Sequence, residues 1–149
     1  MADLNMTKEE ITKHLEETLT VRVATISPEG KTHVVPLWFA ILDGEIYITT
    51  TKSSKKAKNI LANKNISLLF DQGEELDLGK LWGIVIEGKA EEVVDKTTIK
   101  RFHEAYGKKY FGQNYLDHPA YQQLFNMPNR VVFKTKQEKI ATWDYSKMG

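Results

Sequence analysis

The sequence predicts a mainly β fold: a small antiparallel barrel of six to seven strands with short helical inserts. Three observations predict it. Short β-rich apolar runs follow one another at turn-length spacing along most of the chain. An Asp43-Gly44 pair sits between two of them, and that dipeptide favours the positive φ angles of a two-residue hairpin turn. Too few of the strands are separated by a crossover helix for a parallel sheet to form.

Taken in order, Thr7 with Glu10 has the spacing of a capping box and opens a helix to about Glu17. Val21–Ile26 is β-rich, and Ser27-Pro28-Glu29-Gly30 is a turn signal. Val34–Ile41 is one apolar run, closed by the Asp43-Gly44 turn and followed by a strand Glu45–Thr50. A lysine-rich helix is expected from about Ser54 to Ala62, then a strand Asn65–Asp71 and an acidic loop Gln72–Leu78. Leu81–Val94 reads as one long strand bent at Gly88. From Asp95 to about Tyr110 the period turns helical, with Ile99, Phe102, His103 and Tyr106 on one face. His118-Pro119 opens a short helix through Phe125, and two last strands, Arg130–Thr135 and Lys139–Asp144, close the chain.

Length and composition narrow the class. The 149 residues fit one domain, 1–149, large enough to bury a core. With 21 basic against 20 acidic residues, nothing in the overall charge argues for nucleic acid or an anionic membrane, so any basic site must be local. The absence of cysteine excludes disulfides, thiol catalysis and cysteine-ligated zinc. The N-terminal residues lack an apolar signal core and no run approaches a membrane span, which gives the expectation of a cytoplasmic protein.

The segment Tyr47–Ile60 carries the strongest chemical signal. A strand runs into three threonines, two serines and a cluster of lysines, and then into a helix. Hydroxyls and free backbone N–H groups at a helix start form a seat for a phosphate dianion. Lysines in that first turn oppose the helix dipole unless an anion compensates them. The competing reading is an ordinary Ser53 or Ser54 cap followed by a solvated face of Lys52, Lys55, Lys56 and Lys58. No glycine lies between Glu45 and Gln72, which excludes a Walker-type loop and a dinucleotide fingerprint. Pro36, inside an apolar run, marks a strand edge or bulge because it donates no ladder hydrogen bond. A flat ligand could meet exposed backbone there; a proline that only blunts an edge is the plainer account.

In their order and spacing, the stretch from Val23 to Asp71, the Gly83–Val93 segment and the closing Lys139–Tyr145 resemble the pyridoxamine-5′-phosphate-oxidase-like, FMN-binding split-barrel superfamily. The resemblance spans about Leu15 to Tyr145. It implies a split barrel, and a homodimer with two flavin sites at the subunit interface. It also implies that Val35, Pro36, Leu37 and Trp38 present backbone to the isoalloxazine ring, and that Thr49, Thr50 and Thr51 line the ribityl and phosphate portion. Ser54, Lys55 and Lys56 would hold the phosphate, and Trp82 would pack near the cofactor from the second subunit.

The chain departs from true pyridoxamine phosphate oxidases at two places. The strand before the hairpin carries no basic pair, and the chain closes on Trp143-Asp144-Tyr145 rather than an arginine- and proline-containing tail. Oxidation of pyridoxamine phosphate is therefore not expected. The expected function is an FMN-dependent oxidoreductase acting on a small organic substrate by hydride transfer. The alternatives are a reductase using the deazaflavin analogue, whose anionic tail Lys52 and Lys58 could meet, and a non-catalytic flavin- or haem-binding module. His14, His33, His103 and His118 lack metal-ligand spacing, so no metal site is expected; His33 reads first as a strand surface residue and second as a candidate for polarising a substrate or ligating haem. No catalytic residue is assigned. Tyr106, Tyr110, Phe111, Tyr115 and Tyr121 read as core or dimer interface before pocket wall.

Overall fold

The computed structural model describes residues 2–74 and 76–149. Its elements run α1 (Lys8–Glu17), β1 (Val21–Ile26), β2 (Thr32–Leu37), β3 (Phe39–Leu42), β4 (Glu45–Thr51), α2 (Lys55–Ala62), β5 (Asn65–Glu74), β6 (Asp77–Glu92), α3 (Lys96–Phe111), α4 (Pro119–Phe125) and β7 (Arg130–Asp144), with 3₁₀ turns at Tyr115–Asp117 and Tyr145–Met148. All strand pairings are antiparallel, in the order β2-β1-β5-β6-β7-β4-β3. β2 and β3 are the two edges of this sheet, yet Trp38 alone separates them in the chain. Neighbouring Cα atoms lie about 3.8 Å apart, so the sheet must curl until its edges nearly meet. The result is the expected small barrel, split along the seam that Trp38 bridges.

Local signals account for most elements. Thr7 and Glu10 form the reciprocal capping box at α1. Asp43 and Gly44 adopt φ angles of 52° and 79° in the β3–β4 hairpin. Asp95 caps α3 through its bonds to Thr98, and Gly112 at φ 85° ends it. His118 caps α4, its Nδ1 accepting from the Ala120 N–H at 3.1 Å, with Pro119 in the first turn. No described helix is long and apolar enough to cross a membrane.

Three expectations change. The Val34–Ile41 run is two strands on opposite edges, because a continuous strand through Trp38 could not close the barrel. The acidic Gln72–Leu78 segment is mostly strand: β5 reaches Glu74 and β6 begins at Asp77, the two pairing across the tip, while Glu75 lies outside the described residues. The two closing strands are one. β7 runs unbroken from Arg130 to Asp144, paired with β4 from Arg130 to Thr135 and with β6 from Phe133 to Asp144, and the irregularity falls at Glu87/Gly88. A Cβ on Gly88 would strike the Lys136 carbonyl, so glycine permits this close approach.

The barrel interior is filled by Val21, Val23, Phe39, Ile48, Leu68, Phe70, Ile84, Ile86 and Phe133, all essentially buried. Phe39 meets Phe70 edge-on with centroids 5.1 Å apart. A second cluster lies outside the barrel wall, where Phe102 and Tyr106 of α3 pack on Ala40, Leu42, Tyr47 and Val132. This packing clamps the helical insert over β3, β4 and β7, beside the seam.

Candidate functional site

A cavity of about 420 Å³ opens beside the seam, lined by Thr20, Pro36, Leu37, Trp38, Thr49, Thr50, Tyr106, Leu124 and Arg130. The barrel seam supplies Pro36, Leu37 and Trp38, and the end of β4 supplies the threonines. Tyr106 and Leu124 come from the helical insert, and Arg130 from the first residue of β7. The volume suits a cofactor-sized ligand.

The polar end is built by β4, β7 and the start of α2. Register places Thr51 opposite Arg130, Thr50 opposite Val131 and Thr49 opposite Val132. Thr49 Oγ1 donates to the Val131 carbonyl at 2.9 Å and accepts from Arg130 Nη2 at 3.3 Å. Thr50 Oγ1 donates to Ser54 Oγ at 3.2 Å, and Ser54 in turn caps α2 by accepting from the Ala57 N–H at 3.2 Å. The first turn of α2 holds no acidic residue, only Lys55, which is exposed, and Lys56, which is half-buried. Burial and then the nearby Arg130 charge hold Lys56 below the usual lysine range.

Arg130 was not singled out by its sequence context, and it is the most telling group of the site. It is half-buried, its Nε is buried with no hydrogen-bond partner, and it joins none of the ion pairs among the described residues. Burial lowers its pKa from the ordinary value, although a guanidinium stays charged. Two neighbouring cations without a carboxylate repel each other, and a buried donor left unmade costs about 1–3 kcal/mol. An anion between Arg130, Lys56 and the Ser54–Thr50 hydroxyls would relieve both. The residues present therefore fit the phosphate of a flavin-type cofactor.

The apolar end offers ring contacts. Trp38 is 42% exposed and stacks in parallel on Tyr110, centroids 4.3 Å apart. The Tyr110 hydroxyl donates to the Leu19 carbonyl at 2.8 Å and accepts from the Phe39 N–H at 3.0 Å, which fixes both rings to the barrel edge. Burial pushes the Tyr106 hydroxyl up to about 12, so it stays neutral in the wall. No carboxylate or imidazole of the described residues lines this cavity.

Of the residues singled out in the sequence, Pro36, Leu37, Trp38, Thr49 and Thr50 line one cavity, with Ser54 bonded to Thr50 and Lys56 near Arg130 at its polar end, while Lys55 is exposed in the first turn of α2. Thr51 ends β4 opposite Arg130, and Val35 sits in β2 opposite Val23. Trp82 lies elsewhere in the chain's own fold. It is buried at the start of the inner part of β6, stacked 4.0 Å from His14, and borders a different cleft with Glu17, Lys80 and Asp144. His33, in β2, pairs with Thr25 of β1 and does not line the cavity.

Comparisons with known proteins agree with this architecture. A conserved hypothetical protein from Mycobacterium tuberculosis is 30% identical, with a TM-score of 0.87, covering 100% of this chain and 91% of that one. The fold is also that of HutZ, the haem storage protein of Vibrio cholerae (16% identity, TM-score 0.76, covering 93% and 97%). A FAD-binding protein from Mesorhizobium loti shares it too (22% identity, TM-score 0.67, covering 92% and 94%). No curated protein sequence matches the chain. The family model described as pyridoxamine 5′-phosphate oxidase matches residues 7–144, and the chain belongs to that family.

Proposed function

We propose that the chain is a flavin-binding split-barrel protein, holding FMN or its deazaflavin analogue in the cavity beside Trp38. The observation that carries this reading is the partnerless Arg130 Nε next to Lys56, at a hydroxyl-rich helix start. Arg130, Lys55, Lys56 and Ser54 would hold the phosphate, the threonines the ribityl chain, and the Pro36–Trp38 seam the ring. A bound flavin would supply hydride transfer, and on this reading the protein is an oxidoreductase acting on a small organic molecule. The cavity's own groups bind and orient; none is a general acid or base at neutral pH. Binding is thus the primary role that the residues support.

For the deazaflavin analogue, Lys58 is the cation of this segment left for an anionic tail, since Lys52 already faces Glu92 at 3.7 Å. A second reading, a haem-binding module, is favoured by the shared fold with the haem storage protein. Against it, no histidine lines the cavity to ligate iron.

Absorbance of the gently purified protein separates FMN, deazaflavin and haem by their visible bands. Titration of the cofactor-free protein with FMN then tests the site. Arg130→Gln should weaken FMN by about 1.5–3 kcal/mol, one charge-assisted hydrogen bond, and the double replacement of Lys55 and Lys56 by alanine by several kcal/mol. Unchanged affinity in both variants would remove the phosphate assignment.

A further inference from the structure

We infer that Lys109 forms a covalent docking site for short aliphatic aldehydes, in a cavity separate from the one described above. That cavity has a volume of about 160 Å³ and is lined by Glu16, Ala40, Ile41, Ala105 and Lys109; it shares no lining residue with the first. Lys109 lies in the last turn of α3, its Nζ 3.5 Å from the centroid of the buried Phe39 ring and 5.3 Å from that of Tyr110. Two other cations of this helix find carboxylates, Lys108 bonding Glu104 at 2.7 Å and Arg101 bonding Asp43 at 3.0 Å, while Lys96 and Lys100 lie exposed to solvent. Lys109 joins no ion pair among the described residues.

The surroundings favour a neutral nitrogen. A ring face holds an ammonium by about 0.5–2 kcal/mol, while an unpaired charge removed from water costs more. In keeping with this, burial pushes Lys109 down to about 8. At pH 7 about a tenth of it is free amine, a few hundredfold more than an ordinary lysine offers. The amine lone pair attacks the aldehyde carbon, forming a C–N bond. The nitrogen proton passes to the carbonyl oxygen to give a carbinolamine, and loss of one water yields the imine without any change of oxidation state. A neutral imine replaces a poorly solvated ammonium, and Ala40, Ile41 and Ala105 leave room for only a few carbons.

The test is reductive trapping on the full chain. Propanal at limiting concentration with cyanoborohydride should place a propyl group on Lys109 at least tenfold faster than on exposed Lys55 or Lys108, as read by peptide mass mapping. The Lys109 rate should rise with pH to a midpoint near 8. Lys109→Arg should abolish the fast phase with an unchanged circular dichroism spectrum. Labelling of Lys109 no faster than of Lys55 and Lys108 overturns the site, as does a fast phase that survives Lys109→Arg. The wild-type peptide map decides the matter even if the arginine variant folds poorly.

Discussion

His103 shows how one side chain couples the candidate site to stability. It is half-buried on α3, its ring 4.5 Å from Phe125 and 5.8 Å from Phe102, and it faces the charge of Arg130. Burial first, and Arg130 second, hold its pKa below the ordinary histidine value. The unfolded chain therefore takes up a proton on this residue at a higher pH than the folded one does. Wherever the unfolded state binds more protons, stability rises with pH. The contribution of His103 is thus complete above its unfolded value, about 6.5, and is lost as pH falls from there through the lower folded value. Denaturant unfolding at a series of pH values should show stability dropping on acidification below neutrality, with a shallower drop in His103→Gln. A variant with the same slope as the wild type would place the sensitivity elsewhere. Filling the site with an anion should shrink the Arg130 part of the effect, because the charge that opposes protonation would be neutralised.

At the scale of elements, α3 carries a glycine that propensity alone would condemn. Gly107 is buried in its interior, where alanine would favour the helix by about 1 kcal/mol. A Cβ there would overlap the Tyr115 ring near its attachment point, which cannot swing away cheaply. Overpacking of this kind costs about 1–3 kcal/mol. Gly107→Ala should therefore lower the thermal midpoint by a few degrees; a raised midpoint would mean that Tyr115 yields and propensity wins. The same contrast explains what the sequence revealed. Caps, the Asp43-Gly44 turn and the helix starts are local chemistry, readable within four residues, and they match. Strand partnership is not local. Nothing in the Val34–Ile41 run says that it divides at Trp38 between the two edges of the sheet. Arg130 was invisible for the same reason, since only the β4–β7 register brings it opposite Thr51 and beside Lys56. The lysine and threonine cluster of the site was legible because it is contiguous, and its third cation was not.

The whole molecule leaves the seam exposed. Trp38 and Val34 are 42% and 61% accessible, Pro36 lies exposed between them, and Leu19, 60% accessible, is tied to the same place through the Tyr110 hydroxyl. Apolar groups gathered beside a cavity mouth mark an interaction surface more often than a solvated one. β2 is moreover an edge strand, with Pro36 discouraging simple edge-to-edge extension. We propose that a second copy of the chain covers this region and completes the flavin cavity. The chain of 17.1 kDa should then sediment at about twice that mass. The stronger consequence is thermodynamic: if both chains build each cavity, FMN binds the dimer better than the monomer, and by linkage it must tighten the dimer to the same degree. Dilution monitored by sedimentation velocity should show dissociation shifting to lower protein concentration when FMN is present. Val34→Lys, a charge on the covered edge and outside the cavity lining, should weaken both association and FMN uptake together. A monomer that binds FMN at one per chain with undiminished affinity would break that linkage, and with it the idea that the partner finishes the site.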